Sequence, residues 1–458
     1  MSPIDSLVDD LRTIVGPHQV LVDDELTAGF CTDWTGRWSG RCRAVVRPGD
    51  TSEVAALVAR CASSGVAVLP QGGNTGLVGA TVPDADTVVV SSSRLDSIGA
   101  VDDTAGQISA GAGVTIGALH SATVGSGWHY PVDFAARDVA TVGGTIATNA
   151  GGHHVVRHGM TRRHVVGIEA VLADGRVVSH LGGLVKDNTG YDLAGLLCGS
   201  EGTLAIITAA RLALVPDEPE TATALVSFES VEAAISALGP LRRGVPGIEA
   251  LELMFADALA SVAEVLDATL PVIASPATLL VEASGTAEAL VGLADVLSTL
   301  DGVLDTAVAT DPPRRAALWA WRDHHTETIN RLGDTPPHKL DVTLPPARLA
   351  AFVDDVTRLV AELAPEGRLW LFGHAGDGNL HVNVTGLAAT DETVDAAILQ
   401  LVADLDGSIS AEHGIGRTKR QWLHLVRSPE EIAVFRSIKA AIDPQGLFSP
   451  GVLLPEAD

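Results

Sequence analysis

Two histidines and a glutamate–histidine pair late in the chain have the residue types of a metal site. His374 and His381 lie in LFGHAGDGNLHVNV, and Glu412 and His413 follow in SISAEHGIGR. Two imidazoles and a carboxylate suit a divalent cation of borderline softness. Taken alone, this set indicates a hydrolase, and the alternative for any single histidine is an ordinary packed or solvated side chain.

The spacing of these residues predicts how they are presented. His374 and His381 flank AGDGN, which is typical of a tight turn, so we predict a hairpin with both imidazoles on one face. Adjacent side chains on an extended backbone diverge, so we expect that His413 does not share a metal with Glu412. His413 is then available as a base, and the glycines after it would let the backbone bend around a substrate.

A glycine-rich segment far upstream changes the interpretation. Residues 70–80, PQGGNTGLVGA, directly follow the strand-like VAVLP. Glycine adopts conformations that other residues resist, so backbone N–H groups here can converge on a diphosphate without lysine. The segment matches neither Walker A nor GxGxxG. The residues expected to form this loop are Pro70, Gly72, Gly73, Asn74, Thr75, Gly76, Leu77 and Gly79.

A second glycine-rich block strengthens the case for a cofactor. Residues 130–159 read YPVDFAARDVATVGGTIATNAGGHHVVRHG. One glycine cluster alone is more often a flexible surface turn, but two blocks after strand-like runs imply a long nucleotide-type ligand. A metal that polarises an oxygen, together with a redox cofactor, points to oxidation of an alcohol.

Composition limits the classes of function. A chain of 458 residues fits two or three domains, and its formal charge of −27 argues against nucleic acid or anionic lipid as a partner. Four cysteines without CxxC spacing, and a start without a basic and apolar leader, predict a cytoplasmic protein. No apolar run reaches the roughly 20 residues that span a bilayer.

The hydrophobic pattern alternates strands and helices in the first half and becomes rich in amphipathic helices after Pro216. Residues 49–65 predict a helix capped by Asp50 or Thr51, and residues 312–331 predict a helix that begins after Asp311. This pattern places a domain boundary near 216–220.

Several motifs together resemble one family. PQGGNTGLVGA, ATVGGTIATNAGG, GSEGTLAIIT and GHAGDGNLHVNV…AEHGIGRTK…DPQGLFSPG are similar to the FAD-dependent 2-hydroxy-acid dehydrogenases of the vanillyl-alcohol oxidase/p-cresol methylhydroxylase superfamily. Within it, the chain resembles the group of D-2-hydroxyglutarate and D-lactate dehydrogenases and the glycolate oxidase catalytic subunit. The resemblance covers about residues 40–455.

The resemblance implies an α+β fold with a two-subdomain FAD-binding domain of p-cresol methylhydroxylase type, an α+β substrate cap domain and a C-terminal helical tail that returns to the flavin domain. The expected domains are residues 1–218, divided near residue 100, then 219–410, and a C-terminal segment of 411–458 that completes the active site.

The resemblance also assigns roles to residues. Gly72 to Gly76 would hold the diphosphate of a non-covalent FAD. The remainder of FAD would be lined by Pro131, Asp133, Thr141, Gly143, Gly144, Asn149, Gly151 and Ile206. His374, His381 and Glu412 would bind a divalent metal, with Zn²⁺ favoured over Mn²⁺ or Fe²⁺. His413 would remove the hydroxyl proton while the C2 hydride passes to flavin N5.

Substrate preference is expected to depend on the cap. Arg322 and Thr326 lie four residues apart, which predicts one helix face, and both match substrate-contacting positions of the family. With Lys339 the chain resembles the 2-hydroxyglutarate enzymes more than the lactate or glycolate enzymes, and this lysine could bind a second substrate carboxylate. The alternative is that this isolated cation is a solvated surface charge. Asn383 would add a hydrogen bond to the substrate. The favoured substrate is D-2-hydroxyglutarate, with malate, D-lactate or glycolate as alternatives.

The expected partners are a small anionic 2-hydroxy acid, a separate electron acceptor and a second copy in a homodimer. The acceptor could be an electron-transfer flavoprotein, a quinone or a cytochrome. Three rival functions stay open at this point: a metal hydrolase, a non-catalytic flavin subunit and a reductase of the cell-wall type.

Overall fold

The computed structural model describes residues 3–333 and 335–456, which form two compact units. Unit 1 contains the described residues up to Gly152, Met160–Asp217 and the chain from Glu412 onwards. Unit 2 contains His153–Gly159 and Glu218–Ala411. The segment His153–Gly159, which the sequence analysis placed in the first domain, therefore packs in unit 2.

The α-helices of the described residues are α1 (Pro3–Val15), α2 (Asp24–Cys31), α3 (Thr51–Ser63), α4 (Ile116–Thr123), α5 (Val142–Thr148), α6 (Val155–His158), α7 (Leu193–Leu197), α8 (Val231–Gly244), α9 (Ala256–Leu266), α10 (Ala287–Ser298), α11 (Pro312–Asp323), α12 (His325–Arg331), α13 (Leu349–Leu363), α14 (Thr393–Asp404) and α15 (Pro429–Ile442). None of the helices in this part of the chain is long and apolar enough to cross a membrane.

The strands of the described residues are β1 (Val20–Leu21), β2 (Ala44–Val46), β3 (Val68–Gln71), β4 (Val88–Ser91), β5 (Gln107–Gly111), β6 (Trp128–His129), β7 (Val165–Val171), β8 (Val177–His180), β9 (Ile206–Ala213), β10 (Val215–Pro216), β11 (Glu220–Phe228), β12 (Ile248–Phe255), β13 (Ala277–Gly285), β14 (Val303–Ala309), β15 (His338–Thr343), β16 (Arg368–His374) and β17 (Asn379–Thr385).

Unit 1 is built on two four-stranded sheets. The first has the order β1-β2-β4-β3, in which β2, β4 and β3 run parallel. The second, antiparallel sheet has the order β5-β9-β7-β8. Helix α3 begins where the sequence predicts, because Asp50 accepts a hydrogen bond from Glu53 N at 2.9 Å and Val54, Leu57 and Cys61 face the core.

Unit 2 is built on one antiparallel seven-stranded sheet of order β14-β11-β13-β12-β16-β17-β15. Its strands come from distant parts of the sequence, so β12 is hydrogen-bonded to β16 although about 110 residues separate them. Trp321 and Trp370 are buried in its apolar core.

Candidate active site

The predicted hairpin carries His374 and His381 on strands β16 and β17, with both imidazoles on one face of the sheet in unit 2. Their Nε2 atoms lie 3.4 Å apart. Each Nδ1 faces a buried carboxylate: that of His374 lies 2.6 Å from Glu252 Oε1, and that of His381 lies 3.5 Å from Asp341 Oδ1. The two imidazoles therefore converge through their Nε2 edges.

This geometry fits a metal ion. A histidine whose Nδ1–H donates to a carboxylate has its lone pair on Nε2, so two such rings would oppose each other lone pair to lone pair. A cation between them removes that repulsion. Two nitrogens bound tetrahedrally to Zn²⁺ at about 2.0–2.1 Å are separated by about 3.3–3.4 Å, and the observed separation of 3.4 Å agrees with that value.

Glu252 is one of two residues of this cluster that the sequence motifs did not indicate. It lies on β12, directly opposite His374, and its carboxylate is almost completely buried. Oε1 accepts from His374 and Oε2 accepts from Arg322 Nε at 2.6 Å. Burial acts to raise the pKa of Glu252, but His374 and Arg322 outweigh it and hold that pKa below its usual range.

Asp341 was also missed, and it supports His381 from the neighbouring strand. It lies directly opposite His381 in the β15–β17 register. Its Oδ1 accepts from Asn379 Nδ2 at 2.7 Å, and its Oδ2 accepts from Ala411 N at 3.1 Å. A carboxylate with these donors is held in one orientation against the ring. In the sequence, Asp341 lies two residues after Lys339, so both point to one face of a strand. This spacing indicates a contact with His381 only once the strand register is known.

Arg322 and Thr326 do not share one helix, contrary to the prediction. Helix α11 begins after Asp311 as expected but ends at Asp323, and α12 begins at His325. The break lies at His324, whose Nδ1 is 2.9 Å from Ala320 O, so a side chain competes for a helical carbonyl.

Arg322 is also not a solvated surface charge. Only 5% of the residue is exposed, its Nε is bonded to Glu252, and its guanidinium lies 4.7 Å from the centre of the Phe372 ring. The arginine is thus fixed beside the carboxylate that orients His374. Thr326 is partly buried on α12.

Lys339 and Asn383, both predicted to bind substrate, are direct cross-strand neighbours on β15 and β17. They lie on the same sheet face as Asp341 and His381, because side chains two residues apart point the same way. Asn383 is buried, and its Nδ2 has no hydrogen-bond partner. Burial lowers the pKa of Lys339 to about 8. A buried amide donor and a desolvated amine on one face are suited to an anionic group.

His153 adds a third imidazole to this cluster in unit 2. Its ring centre lies 5.9 Å from that of His374 and 4.8 Å from that of Trp319, and its Nε2 is 3.8 Å from Asp323 Oδ1. Burial lowers the pKa of His153 to about 3, with Glu252 opposing that shift, so the ring is neutral.

In unit 1, the first glycine-rich loop follows β3 and leaves no room for side chains at two positions. A Cβ on Gly73 would lie 2.0 Å from Val139 O, and a Cβ on Gly72 would lie 2.4 Å from Thr141 Oγ1. Asn74 has a left-handed φ of 55°, and its Nδ2 donates to Thr32 O at 2.8 Å. Its buried Oδ1 has no partner. The close approach at Gly72 and Gly73 thus gives a backbone cradle, and backbone N–H groups are the donors that a diphosphate site requires.

The second glycine-rich block packs against the first in unit 1. Thr141 caps α5 by accepting from Gly144 N at 3.3 Å, and a Cβ on Gly143 would lie 2.7 Å from Ala112 Cβ. Asp133 Oδ1 is buried without a partner. The remaining predicted lining residues, which the structure places in the same unit, are Pro131, Asn149, Gly151 and Ile206.

Glu412 and His413 also lie in unit 1, and their side chains do not diverge as predicted. His413 Nε2 is 3.9 Å from Glu412 Oε1, because the backbone here is bent rather than extended. Glu412 Oε2 accepts from Gly152 N of the second glycine-rich block at 2.9 Å. The C-terminal segment is therefore hydrogen-bonded to the predicted cofactor region.

Comparison with known proteins identifies the family. Residues 42–180 match a model described as FAD binding domain, and residues 218–453 match one described as FAD linked oxidases, C-terminal domain. The chain belongs to the FAD-linked oxidase family. As a member of this family it binds FAD and is an FAD-dependent oxidoreductase, so the family assignment removes the case for a hydrolase.

Relatives of this FAD-linked oxidase match almost the whole chain. It is 36% identical to the mitochondrial D-2-hydroxyglutarate dehydrogenase of Bos taurus, over 98% of this chain and 84% of that protein. It is 34% identical to the D-2-hydroxyglutarate dehydrogenase of Stutzerimonas stutzeri (strain A1501), over 97% of this chain and 98% of that protein.

Solved structures show the same fold at low sequence identity. p-Cresol methylhydroxylase with substrate bound has a TM-score of 0.80 at 16% identity, over 98% of this chain and 97% of that one. An alkyldihydroxyacetonephosphate synthase has a TM-score of 0.75 at 18% identity, over 97% of this chain and 84% of that one. These similarities confirm the predicted fold class of the p-cresol methylhydroxylase type.

Proposed function

We propose that this FAD-linked oxidase oxidises a D-2-hydroxy acid with two carboxylates, D-2-hydroxyglutarate, to its 2-oxo acid. The observation that carries the proposal is the shared sheet face of Lys339, Asn383 and the convergent pair His374 and His381. The relatives in cattle and in Stutzerimonas stutzeri, whose names specify D-2-hydroxyglutarate, support the same substrate.

In this proposal a divalent ion, Zn²⁺, is held by His374 and His381. The resemblance alone assigns Glu412 as the third ligand. Glu252 accepts from His374 Nδ1, and Asp341 Oδ1 lies 3.5 Å from His381 Nδ1, so both carboxylates favour the Nδ1–H tautomers whose Nε2 atoms can accept a cation. When bound, the ion would supply Lewis-acid stabilisation of negative charge on the substrate oxygens.

The side chains of the chain divide the remaining tasks. Arg322 and Thr326 contact the carboxylate next to the reacting carbon, and Arg322 is already oriented by Glu252. Lys339 and Asn383 bind the second carboxylate. His413 accepts the hydroxyl proton, and FAD supplies the two-electron acceptor.

FAD is held without a covalent bond by the two glycine-rich blocks of unit 1. The proposed contacts are Pro70, Gly72, Gly73, Asn74, Thr75, Gly76, Leu77, Gly79, Pro131, Asp133, Thr141, Gly143, Gly144, Asn149, Gly151 and Ile206. Precipitation in acid should release the yellow cofactor into the supernatant. Colour retained on the precipitated chain would contradict this part of the proposal.

The proposal extends to the partners of the enzyme. A separate acceptor would take up the electrons removed from the substrate, and the candidates are an electron-transfer flavoprotein, a quinone or a cytochrome. A homodimer and a cytoplasmic location remain predictions from the sequence.

Steady-state assays with an artificial dye acceptor test the substrate. We expect the highest kcat/KM for D-2-hydroxyglutarate in a panel of D- and L-2-hydroxy acids that includes malate, D-lactate and glycolate. Lys339→Ala should lower kcat/KM for D-2-hydroxyglutarate by roughly 10- to 150-fold, the loss of one charged hydrogen bond of about 1.5–3 kcal/mol.

D-Lactate provides the matched control, because it has no second carboxylate. Its kcat/KM should change by less than about threefold in Lys339→Ala, since no carboxylate contact is lost. Equal losses for both substrates would remove Lys339 from the discriminating role. A wild-type preference for D-lactate or glycolate would replace the proposed substrate.

A further inference from the structure

Glu201 is a buried carboxylate of unit 1 that none of the proposed roles uses. It lies in GSEGT, just before β9, and only 9% of the residue is exposed. Its backbone is left-handed, with a φ of 52°, which is unfavourable for a residue with a side chain. Glu201 N donates to Ala147 O of α5 at 2.8 Å, so this turn is fixed to the second glycine-rich block.

The carboxylate of Glu201 receives two backbone donors from the segment that follows His413. Ile415 N donates to Oε1 at 2.8 Å, and Gly416 N donates to Oε2 at 2.7 Å. Burial raises the pKa of Glu201, while these N–H groups and Lys419 oppose that shift. Each carboxylate oxygen is thus matched to one amide of the loop.

Two glycines make the backbone of this loop easy to bend. Gly414 and Gly416 have φ values of 88° and 56°, and glycine resists bending less than any other residue. Directly after the loop, Arg417 N donates to the carbonyl of Val78 in the first glycine-rich loop at 3.0 Å. Glu412 Oε2 accepts from Gly152 N at 2.9 Å, and Glu201 adds two further side-chain contacts, to Ile415 N and Gly416 N.

We propose that Glu201 is a positioning residue, which holds the loop of residues 412–416 so that His413 is kept in a productive orientation relative to the flavin-binding part of unit 1. This inference rests on the proposed role of His413 as the base. Glu201 itself does not touch the reacting atoms. Its left-handed backbone and its link to α5 place the acceptor where the two loop amides can reach it.

Glu201→Gln tests the inference with a minimal change of shape. An amide keeps one acceptor oxygen but turns an NH₂ group towards the second loop amide, so one of the two bonds is lost. We expect kcat to fall by roughly 10- to 100-fold, as when a supporting hydrogen bond behind an active-site group is removed. FAD content and KM should stay within about twofold of the wild-type values.

Hydrogen–deuterium exchange of the holoenzyme provides a readout independent of turnover. The amides of Ile415 and Gly416 should exchange faster in Glu201→Gln, whereas other amides of unit 1 keep their protection. Glu169→Gln is the matched control, because Glu169 lies in the same unit and accepts from Thr51 Oγ1 at 2.6 Å rather than from the loop. That control should leave both amides protected.

Gly414→Ala perturbs the same contact from the side of the loop, and it is the second test variant if Glu201→Gln does not fold. A Cβ on Gly414 would lie 3.0 Å from the Glu201 carboxylate. We expect the same fall in kcat and the same loss of protection. Unchanged kcat with unchanged protection in the folded variant would overturn the inference.

The two hypotheses can fail separately. If His413→Asn remains active, His413 is not the base and the proposed function fails. Exchange at Ile415 and Gly416 would still report whether Glu201 holds the loop. If His413→Asn is inactive while Glu201→Gln exposes the amides without lowering kcat, the proposed function stands and Glu201 loses its positioning role.

Discussion

The strongest prediction concerns Glu252, because one buried carboxylate orients both a proposed metal ligand and a proposed substrate arginine. In Glu252→Gln the amide oxygen can still accept from Arg322 Nε, which leaves the NH₂ group facing His374 Nδ1. His374 must then accept at Nδ1 and carry its proton on Nε2. An imidazole with a proton on Nε2 cannot bind a metal through that atom.

The magnitude follows from the geometry. Both contacts of Glu252 are 2.6 Å long and the carboxylate is almost completely buried, so each is a strong, charge-assisted hydrogen bond. Loss of a carboxylate behind a metal-bound histidine weakens metal binding by roughly 10- to 100-fold, or about 1.4–2.7 kcal/mol. Removing one partner of a buried ion pair also lowers the free energy of unfolding by about 3–5 kcal/mol.

The assay is titration of the purified holoenzyme with Zn²⁺ against a chelator, with activity followed in parallel. Added Zn²⁺ should partly restore turnover in Glu252→Gln, and the FAD absorbance should persist, because the FAD-binding model matches residues outside β12. Glu282→Gln is the matched control in the same sheet: Glu282 Oε2 accepts from Trp319 Nε1 at 2.7 Å and from Thr223 Oγ1 at 2.6 Å.

The control should lose stability while keeping its metal affinity. If Glu252→Gln bound Zn²⁺ as tightly as the wild type, the tautomer argument would be refuted. If the wild-type protein bound no divalent ion, the proposed metal site itself would be wrong.

Three further predictions test the remaining parts of the proposal. His413→Asn should lower kcat by at least about 100-fold while FAD stays bound, because it removes the proposed base; near-normal turnover would exclude that role. Since burial lowers the pKa of Lys339 to about 8, the ammonium is present below pH 8 and lost above it. The ratio of kcat/KM for D-2-hydroxyglutarate to that for D-lactate should therefore fall by about tenfold per pH unit above pH 8, and a flat ratio would count against the lysine. Gly73→Ala puts a Cβ 2.0 Å from Val139 O and should weaken FAD binding by roughly 5- to 150-fold, the equivalent of about 1–3 kcal/mol of steric strain, whereas Gly182→Ala meets no atom within 4 Å and should bind FAD normally.

The features of this enzyme that depend on residues close together in the sequence could be predicted from the sequence. The cap of α3 by Asp50 and the start of α11 after Asp311 follow from residues within one helical turn. The AGDGN turn alone placed His374 and His381 on one face. The family motifs then gave FAD and the fold class, because the order of several motifs along a chain is specific even when each is short.

Two predictions were wrong for the same physical reason: a continuous helix over residues 312–331, which instead breaks at His324, and diverging side chains at Glu412 and His413, which instead lie close together. Both predictions extended an ideal helix or strand through residues whose backbone is set by other contacts. Side-chain hydrogen bonds and glycine-rich bends compete with regular secondary structure, and the spacing of residues in the sequence does not show where they prevail.

The sequence by itself determined the cofactor class and the fold family, and it predicted the residue types of the reaction. Only the tertiary structure decided which carboxylates support them. Glu252 and Asp341 lie on strands far from His374 and His381 in sequence, and Glu201 meets Ile415 across more than 200 residues. A buried charge needs a partner at hydrogen-bond distance, and strand register rather than sequence proximity determines where that partner lies.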